Sequence, residues 1–189
     1  MNGDAAIRDF SDVCLQGEGF VLRPWRRDDL DALVRHADDA RIVRGLSTRF
    51  PHPYTRDDGE RFLAGEVVDL SDPVFAIEVD GEPRGGIGAH PGRGERSHSA
   101  EFGYWLTPSL WGRGLMTKAV AVFAPWAMQS LALHRLQANV FAFNTGSARV
   151  LQKNGFDEEG VARCAVLKSG EVHDLRVFAR TRRSLSDAP

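Results

Sequence analysis

The chain of 189 residues contains only two cysteines, Cys14 and Cys164, with no C-x-x-C spacing and no clustered histidine partners. They read as two ordinary thiols rather than a disulfide framework or a zinc site. The six histidines, at 36, 52, 90, 98, 134 and 173, show no H-x-x-x-H spacing. No metal is therefore expected. No apolar run approaches the roughly 18 residues that a bilayer span requires. The opening MNGDAAIRDFSDVC has no apolar stretch of signal-peptide length. A cytoplasmic protein with no membrane partner is the expectation. The formal net charge is only −2, so no global excess of positive charge points to nucleic acid. The most informative absence is local. From 102 to 156 there is no Asp or Glu, while the same stretch carries Arg113, Lys118, Arg135, Arg149 and Lys153.

What is present suits one soluble domain. Hydrophobic residues make up 42% and charged residues 26%, enough apolar material for a core without staples. Residues 1–17 are polar and aperiodic and are expected to be a mobile tail. Residues 18–182 are expected to form the domain, and 183–189 a second tail. FVLRPW alternates as a strand, with Pro24 marking its end or a sheet edge. RDDLDALVRHADD has Leu30, Leu33, Val34 and Ala37 at helical spacing. The stretch 44–54 contains Gly45, Pro51 and Pro53 and reads as a loop; a helix then starts behind a Thr55 cap. PVFAIEV, RGGIGAH and HSAEFGYWL follow as three strands with short links, an antiparallel meander. A helix over 115–131 contains Pro125, and HRLQANVFAF is a strand. NTGSARVLQKNGF is a short helix between the cap Asn144 and the stop Gly155. Two strands joined at Ser169-Gly170 close the domain.

The chemistry concentrates at strand, SLWGRGLM, helix, strand. A helical crossover makes the two strands parallel neighbours and puts the glycine turn at the carboxyl end of the first. Open α/β sheets bind ligands there. Gly112 and Gly114 allow close backbone approach, and the helix start offers unpaired N–H groups and a positive dipole, so the turn suits a phosphate group. It is not a nucleoside triphosphate loop, because Gly114 is followed by Leu115-Met116 rather than Lys-Ser/Thr. It misses the dinucleotide fingerprint as well, because Thr117 replaces the last glycine. That fingerprint also needs an acid about 20 residues on, and the acid-free stretch supplies none.

The segment Trp111-Gly-Arg-Gly114-Leu-Met116 resembles the pyrophosphate motif Gln/Arg-x-x-Gly-x-Gly/Ala of the GNAT N-acetyltransferases. EFGYWL, WGRGLMTKA, Asn144-x-x-Ser147, Lys153-Asn-Gly-Phe156, GEVHDL and the opening FVLRPWRRDDL are similar to the ribosomal-protein N-terminal acetyltransferase branch, the RimJ/RimL type. The resemblance runs from 18 to about 182. It implies an α/β GNAT fold: a central twisted, mostly antiparallel sheet with one splayed parallel pair, flanked by helices. It implies acetyl-coenzyme A as co-substrate, an amine acceptor (a protein N-terminus or a small molecule), and often a homodimer. Tyr104, Trp105 and Leu106 would pair their backbone with the pantetheine arm. Trp111, Gly112, Arg113, Gly114, Leu115 and Met116 would cradle the pyrophosphate. Asn144 would hydrogen-bond the pantetheine, and Ser147 would sit near the thioester sulfur.

The chain departs from the family pattern at both ends of the motif, at Trp111 and Met116. Many members place a Tyr acid seven residues after the Asn, where this chain has Leu151. Some place a Glu base four residues before it, where this chain has Val140. Glu101 is then the first candidate base and His98 the second, with Ser147 as the group that protonates the departing thiolate. His173 and Asp174, on the last hairpin, are candidate acceptor-binding residues. Trp25, Phe50 and Tyr54 sit near the expected acceptor entrance. An α-amine, with a pKa of about 7.8, is neutral roughly one time in eight at pH 7; a lysine amine, at about 10.4, is neutral only about once in 2,500. The missing acid and base therefore lean toward weakly basic acceptors. The alternatives are a coenzyme A-binding sensor without turnover and, more distantly, a nicotinamide oxidoreductase.

Overall fold

Alternation along HSAEFGYWL sets the layers. Ala100, Phe102 and Leu106 are buried on one side of the strand, while Glu101, Gly103 and Trp105 face the other. The computed structural model describes residues 9–183. Eight strands form one sheet: β1 (Leu15–Gly17), β2 (Phe20–Pro24), β3 (Val74–Val79), β4 (Glu82–Pro91), β5 (Ser99–Leu106), β6 (Arg135–Phe141), β7 (Asp157–Lys168) and β8 (Glu171–Thr181). Their spatial order is β1-β2-β3-β4-β5-β6-β8-β7. Every neighbouring pair is antiparallel except β5 with β6. The β3–β4 and β7–β8 links turn where the sequence places them. Asp80 and Gly81, and Ser169 and Gly170, all have positive φ, as tight hairpins of this hand require.

Among the described residues five α-helices cover the sheet: α1 (Leu30–Ala37), α2 (Ala40–Arg44), α3 (Arg56–Leu63), α4 (Leu115–Ser130) and α5 (Thr145–Lys153). Helix α4 runs through Pro125 and buries Ala119, Val120, Phe123, Ala124 and Ala127 completely. Phe123 stacks on Phe102 of β5 and meets Phe75 of β3 edge-on. Small residues beside one large ring let α4 lie close on the sheet. On the other face, Leu33, Ala37 and Tyr54 gather a second cluster with Trp25, Phe50, Phe62 and Trp105. Trp25 stacks nearly parallel on Trp105, 6.4 Å between centroids. These aromatics pack the α1–α3 layer onto the sheet.

The N-terminal expectation needs correcting over its described part. Residues 15–17 form β1, paired with β2 in the register Leu15↔Leu22 to Gly17↔Phe20. Phe10, Val13 and Leu15 pack against the core, and Phe10 meets Trp126 edge-on at 5.7 Å. Three apolar residues spread among polar neighbours give no period, yet each finds a place on the α4 side. The remainder of that segment, 1–8, and most of the second tail, 184–189, lie outside the described residues. The loop expected over 44–54 also starts later, because α2 ends at Arg44; Asp39 caps this helix by accepting from the Arg41 N–H at 2.9 Å. No described helix is long and apolar enough to cross a membrane.

Candidate active site

The parallel pairing of β5 with β6 is brief. It runs Ser99↔Arg135, Ala100↔Leu136, Glu101↔Gln137, and stops. Beyond it, β5 stays with β4 as far as Leu106, and β6 follows β8 as far as Phe141. The strands diverge, and a cleft of about 750 Å³ opens between them. Tyr104, Trp105 and Leu106 line it from β5; Asn144 and Ser147 line it from the start of α5. Trp111, Gly112, Gly114, Leu115 and Met116 line it from the turn before α4. Arg113, expected in the same cradle, is not among the lining residues.

The turn is built for close approach. Gly112 and Gly114 have φ of 74° and 76°, and a Cβ at either would meet nothing within 4 Å. Gly114 is the N-cap of α4; no side chain caps the helix start, and no acid lies in its first turn. Its opening N–H groups are therefore left for a ligand. Trp111 leaves the cradle by its indole, which donates to the Leu106 carbonyl at 2.8 Å and ties the turn to the end of β5.

At the other end, the Asn144 Oδ1 accepts from the Ser147 N–H at 3.1 Å, the N-cap bond of α5. Its amide nitrogen is closely approached by Gly45, where a Cβ would come within 2.8 Å of Nδ2. Ser147 Oγ lies 2.8 Å from the Tyr104 hydroxyl, which also donates to the Ser147 carbonyl at 3.1 Å. Burial pushes the Tyr104 phenol above its ordinary value, against the smaller opposing effect of Ser147, so it stays protonated at neutral pH. Leu151 is fully buried and Val140 nearly so. The positions that carry acid and base in many members are packing positions here, and a phenol reaches the same helix turn from β5 instead.

The charge around the cleft is one-sided. Its lining holds Arg41, Arg44, Arg149 and Lys153 and no Asp or Glu, and of these Arg41 is paired with Asp39 beside the cleft at 2.6 Å. Two residues of the basic stretch are neutralised by acids distant in sequence: Lys118 pairs with Glu18 at 2.8 Å, and Arg135 with Glu159 at 2.6 Å. The helix α2, which supplies Arg41, Arg44 and the adjoining Gly45 and Leu46, is the wall that sequence reasoning missed. The signal was there: Asp39 as cap, ARIVR, and a glycine stop.

A smaller pocket of about 300 Å³ adjoins the first, and both are lined by Arg44 and Phe143. His52, Lys168, Glu171 and His173 also line it. The rings of Phe141, Phe143 and His173 pack together at 5.2 to 5.6 Å. Lys168 donates to the carbonyls of Val43 and Leu46, holding the end of α2 to the β7–β8 hairpin. Desolvation lowers its pKa. Asp174 lies in neither pocket. Its Oδ1 accepts from the Cys164 N–H at 2.8 Å, at a bulge of β7 where Cys164 has a φ of 51°. Glu101 shares the sheet face of Trp105 but sits at the last paired position before the splay. It is exposed, 3.4 Å from the Asn139 amide, and lines neither pocket. His98 is exposed ahead of β5 and meets His134 edge-on.

A mixed sheet that splays at a parallel pair, with an uncapped glycine turn at the mouth, gives the cleft a geometry that suits a phosphate-bearing ligand. The chain belongs to the GNAT acetyltransferase domain family, whose model matches residues 20–157. It is 43% identical over 81 residues to the "Probable N-acetyltransferase YjcK" of Bacillus subtilis, a match spanning 43% of this chain and 45% of that protein, under half the relative's length. It is 28% identical over 148 residues to the spermidine N(1)-acetyltransferase of Escherichia coli, covering 74% of this chain and 73% of the relative. Among solved structures, RimJ of Mycobacterium smegmatis in complex with CoA-disulfide superposes with a TM-score of 0.78 at 27% identity, covering 89% of this chain and 86% of that one.

Proposed function

We propose that the protein is an N-acetyltransferase that moves an acetyl group directly from acetyl-coenzyme A to a primary amine. One observation carries the reading: the bare glycine turn, the splayed strand ends and the Ser147–Tyr104 pair face one cleft that contains no carboxylate. The diphosphate sits on the amides from Gly112 to Met116, with Arg149 and Lys153 supplying positive field. The pantetheine runs along Tyr104, Trp105 and Leu106, beside Asn144, and brings the thioester to Ser147. A neutral amine attacks the thioester carbonyl; a C–N bond forms and the C–S bond breaks. One amine proton is lost, and one proton arrives on the sulfur. Ser147, bonded to a protonated Tyr104, is the proton donor. A coenzyme thiolate is a good leaving group, so a weak donor suffices. Glu101 is too far along β5 to line the cleft, and a role as base requires a water to bridge to it. His173 lines the adjoining pocket directly. Both cysteines are exposed and neither lines a pocket, which argues against an acyl-thiol stage on the protein.

The test couples binding to turnover. Acetyl-coenzyme A should raise the melting temperature while NAD does not, and free thiol should be released on adding amines. Binding without thiol release across a broad amine panel would leave a coenzyme sensor. No shift at all would remove the assignment of the cleft.

A further inference from the structure

The second pocket states something about the acceptor. This step rests on the proposed function and adds the class of amine. The pocket meets the coenzyme cleft at Arg44 and Phe143, so an acceptor held there reaches toward the thioester end marked by Ser147. Its volume, about 300 Å³, is that of a small-molecule site. Its charges are mostly of one sign. Arg44 makes no hydrogen bond or ion pair with any described residue; its guanidinium lies 4.9 Å from the centre of the Phe143 ring, with all five N–H donors unspent. Lys168 spends two of its three donors on Val43 and Leu46 and keeps one. Opposing them are Glu171, on the rim with 80% of its side chain exposed, and Asp38, which is paired with His52 at 3.1 Å. A polyamine would bring extra ammonium groups against Arg44 and Lys168 and find one solvated carboxylate. An amine that carries its own oxyanion would find the reverse.

We propose that this pocket selects primary amines that bear a carboxylate or comparable oxyanion, a free amino acid in the simplest case, and that Arg44 binds that oxyanion. The planar guanidinium can take a carboxylate through two parallel N–H bonds, which fixes the amine's direction as well as its position. Phe143 beneath it keeps the guanidinium flat and partly desolvated, which strengthens the pairing. The third N–H of Lys168 adds to the field. The reaction remains the balanced transfer described above: the acceptor's nitrogen gains the acetyl group and loses one proton, and the coenzyme leaves as its thiol.

The experiment measures thiol release from acetyl-coenzyme A with L-amino acids, each matched to its carboxamide, together with spermidine and short peptides. Counted per unprotonated amine, because a free amino acid's ammonium holds its proton more tightly than its carboxamide's, the free acids should exceed their carboxamides in kcat/KM by roughly tenfold or more, the range a charge-assisted hydrogen bond supplies. Spermidine should be poor. Arg44→Met should bring each acid down to the level of its carboxamide, and Arg44→Lys should restore part of the difference. Arg44 is exposed and unpaired, so both variants should melt near the parent. Equal use of acids and carboxamides, or a preference for spermidine, would overturn the proposal, and so would peptides favoured over free amino acids. An Arg44→Met variant that raises the KM for acetyl-coenzyme A but keeps the acid preference would give Arg44 to the coenzyme instead. Those results leave the acetyltransferase reading standing. Absence of thiol release with every amine, whether or not the coenzyme stabilises the fold, would remove the two together.

Discussion

The Tyr104 hydroxyl lies 2.8 Å from Ser147 Oγ, joining the middle of β5 to the first turn of α5 across the mouth of the splay. Burial keeps the phenol protonated, so each of the two hydroxyls carries a proton and either can donate to the other. Tyr104→Phe should leave the fold intact at a cost of about 1–3 kcal/mol, the loss of the hydroxyl's two hydrogen bonds to Ser147. It should lower kcat several-fold, more than it raises the KM for acetyl-coenzyme A. Ser147→Ala should lower kcat further. If the two act as one unit, the double variant should be little worse than Ser147→Ala alone. Additive losses in steady-state kinetics would separate Tyr104 from the proton path.

Gly114 combines a φ of 76° and ψ of 0° with empty space where a Cβ would go. Alanine there meets no clash but takes on left-handed backbone strain of about 1–2 kcal/mol. Gly114→Ala should therefore weaken coenzyme binding modestly. Gly114→Glu adds a carboxylate at the diphosphate seat and should abolish the melting shift given by acetyl-coenzyme A. The comparison of the two shifts is the measurement; equal shifts would mean that the turn does not hold the diphosphate.

Much of this arrangement could be read from local signals. Asp80-Gly81 and Ser169-Gly170 mark their hairpins because a tight turn needs positive φ there. Asn144 and Gly155 bracket α5 by the chemistry of helix ends, and the glycines of SLWGRGLM mark the left-handed turn that opens α4. What stayed hidden is long-range or short-lived. Nothing near Lys118 announces Glu18, and nothing near Arg135 announces Glu159, so the basic stretch looks less opposed in sequence than in space. A five-residue helix such as α2 has too little length for a period, yet it supplies two arginines to the cleft. Asp174 shares a hairpin with His173, but only the β7 bulge at Cys164 shows that its carboxylate is spent on the backbone. Leu151, the position of an acid in many members, is a fully buried core residue of α5, and Tyr104 reaches that helix from β5 at Ser147.

The start of α3 offers a pH test. Thr55 and Asp58 form a reciprocal capping box: the Thr55 hydroxyl accepts from the Asp58 N–H at 3.3 Å, and the Asp58 carboxylate accepts from the Thr55 N–H at 2.9 Å. The Thr55 hydroxyl, then its N–H, hold the Asp58 carboxyl below the usual carboxylate range. A lowered folded-state pKa stabilises above the unfolded value of about 3.9 and is lost as pH falls through the lower folded value. Thr55→Ala should cost about 1 kcal/mol near neutrality. That cost should shrink below roughly pH 4, where the parent loses the same bonds. Urea midpoints of parent and variant across pH 2.5 to 7, in acid-stable buffers, would show the curves drawing together at low pH; parallel curves would mean that the Thr55 hydroxyl does not shift the Asp58 carboxyl.

Arg23 sits buried near the end of β2, where the chain leaves the sheet for α1. It is 5% exposed, bonds Asp29 through both terminal nitrogens at 2.8 Å, and reaches Glu78 of β3 through Nε. Asp29 in turn accepts from the Arg26 N–H at 2.8 Å, fixing the chain as it leaves β2 for α1. Between those anchors lies Trp25, stacked on Trp105, so the cluster sets the packing against Trp105, which lines the cleft. Removing one member of a buried pair leaves the other charge uncompensated, a loss of about 3–5 kcal/mol, whereas replacing both with apolar groups is often near neutral. Asp29→Ala should therefore be more damaging in urea unfolding than the double change Arg23→Met, Asp29→Leu, although the double variant still loses the Arg26 bond and leaves Glu78 half-served. If that packing matters to the acceptor, the double variant should fold, bind acetyl-coenzyme A normally, and show a raised acceptor KM. A double variant less stable than Asp29→Ala would mean that the ion cluster, rather than its shape, holds β2 to α1.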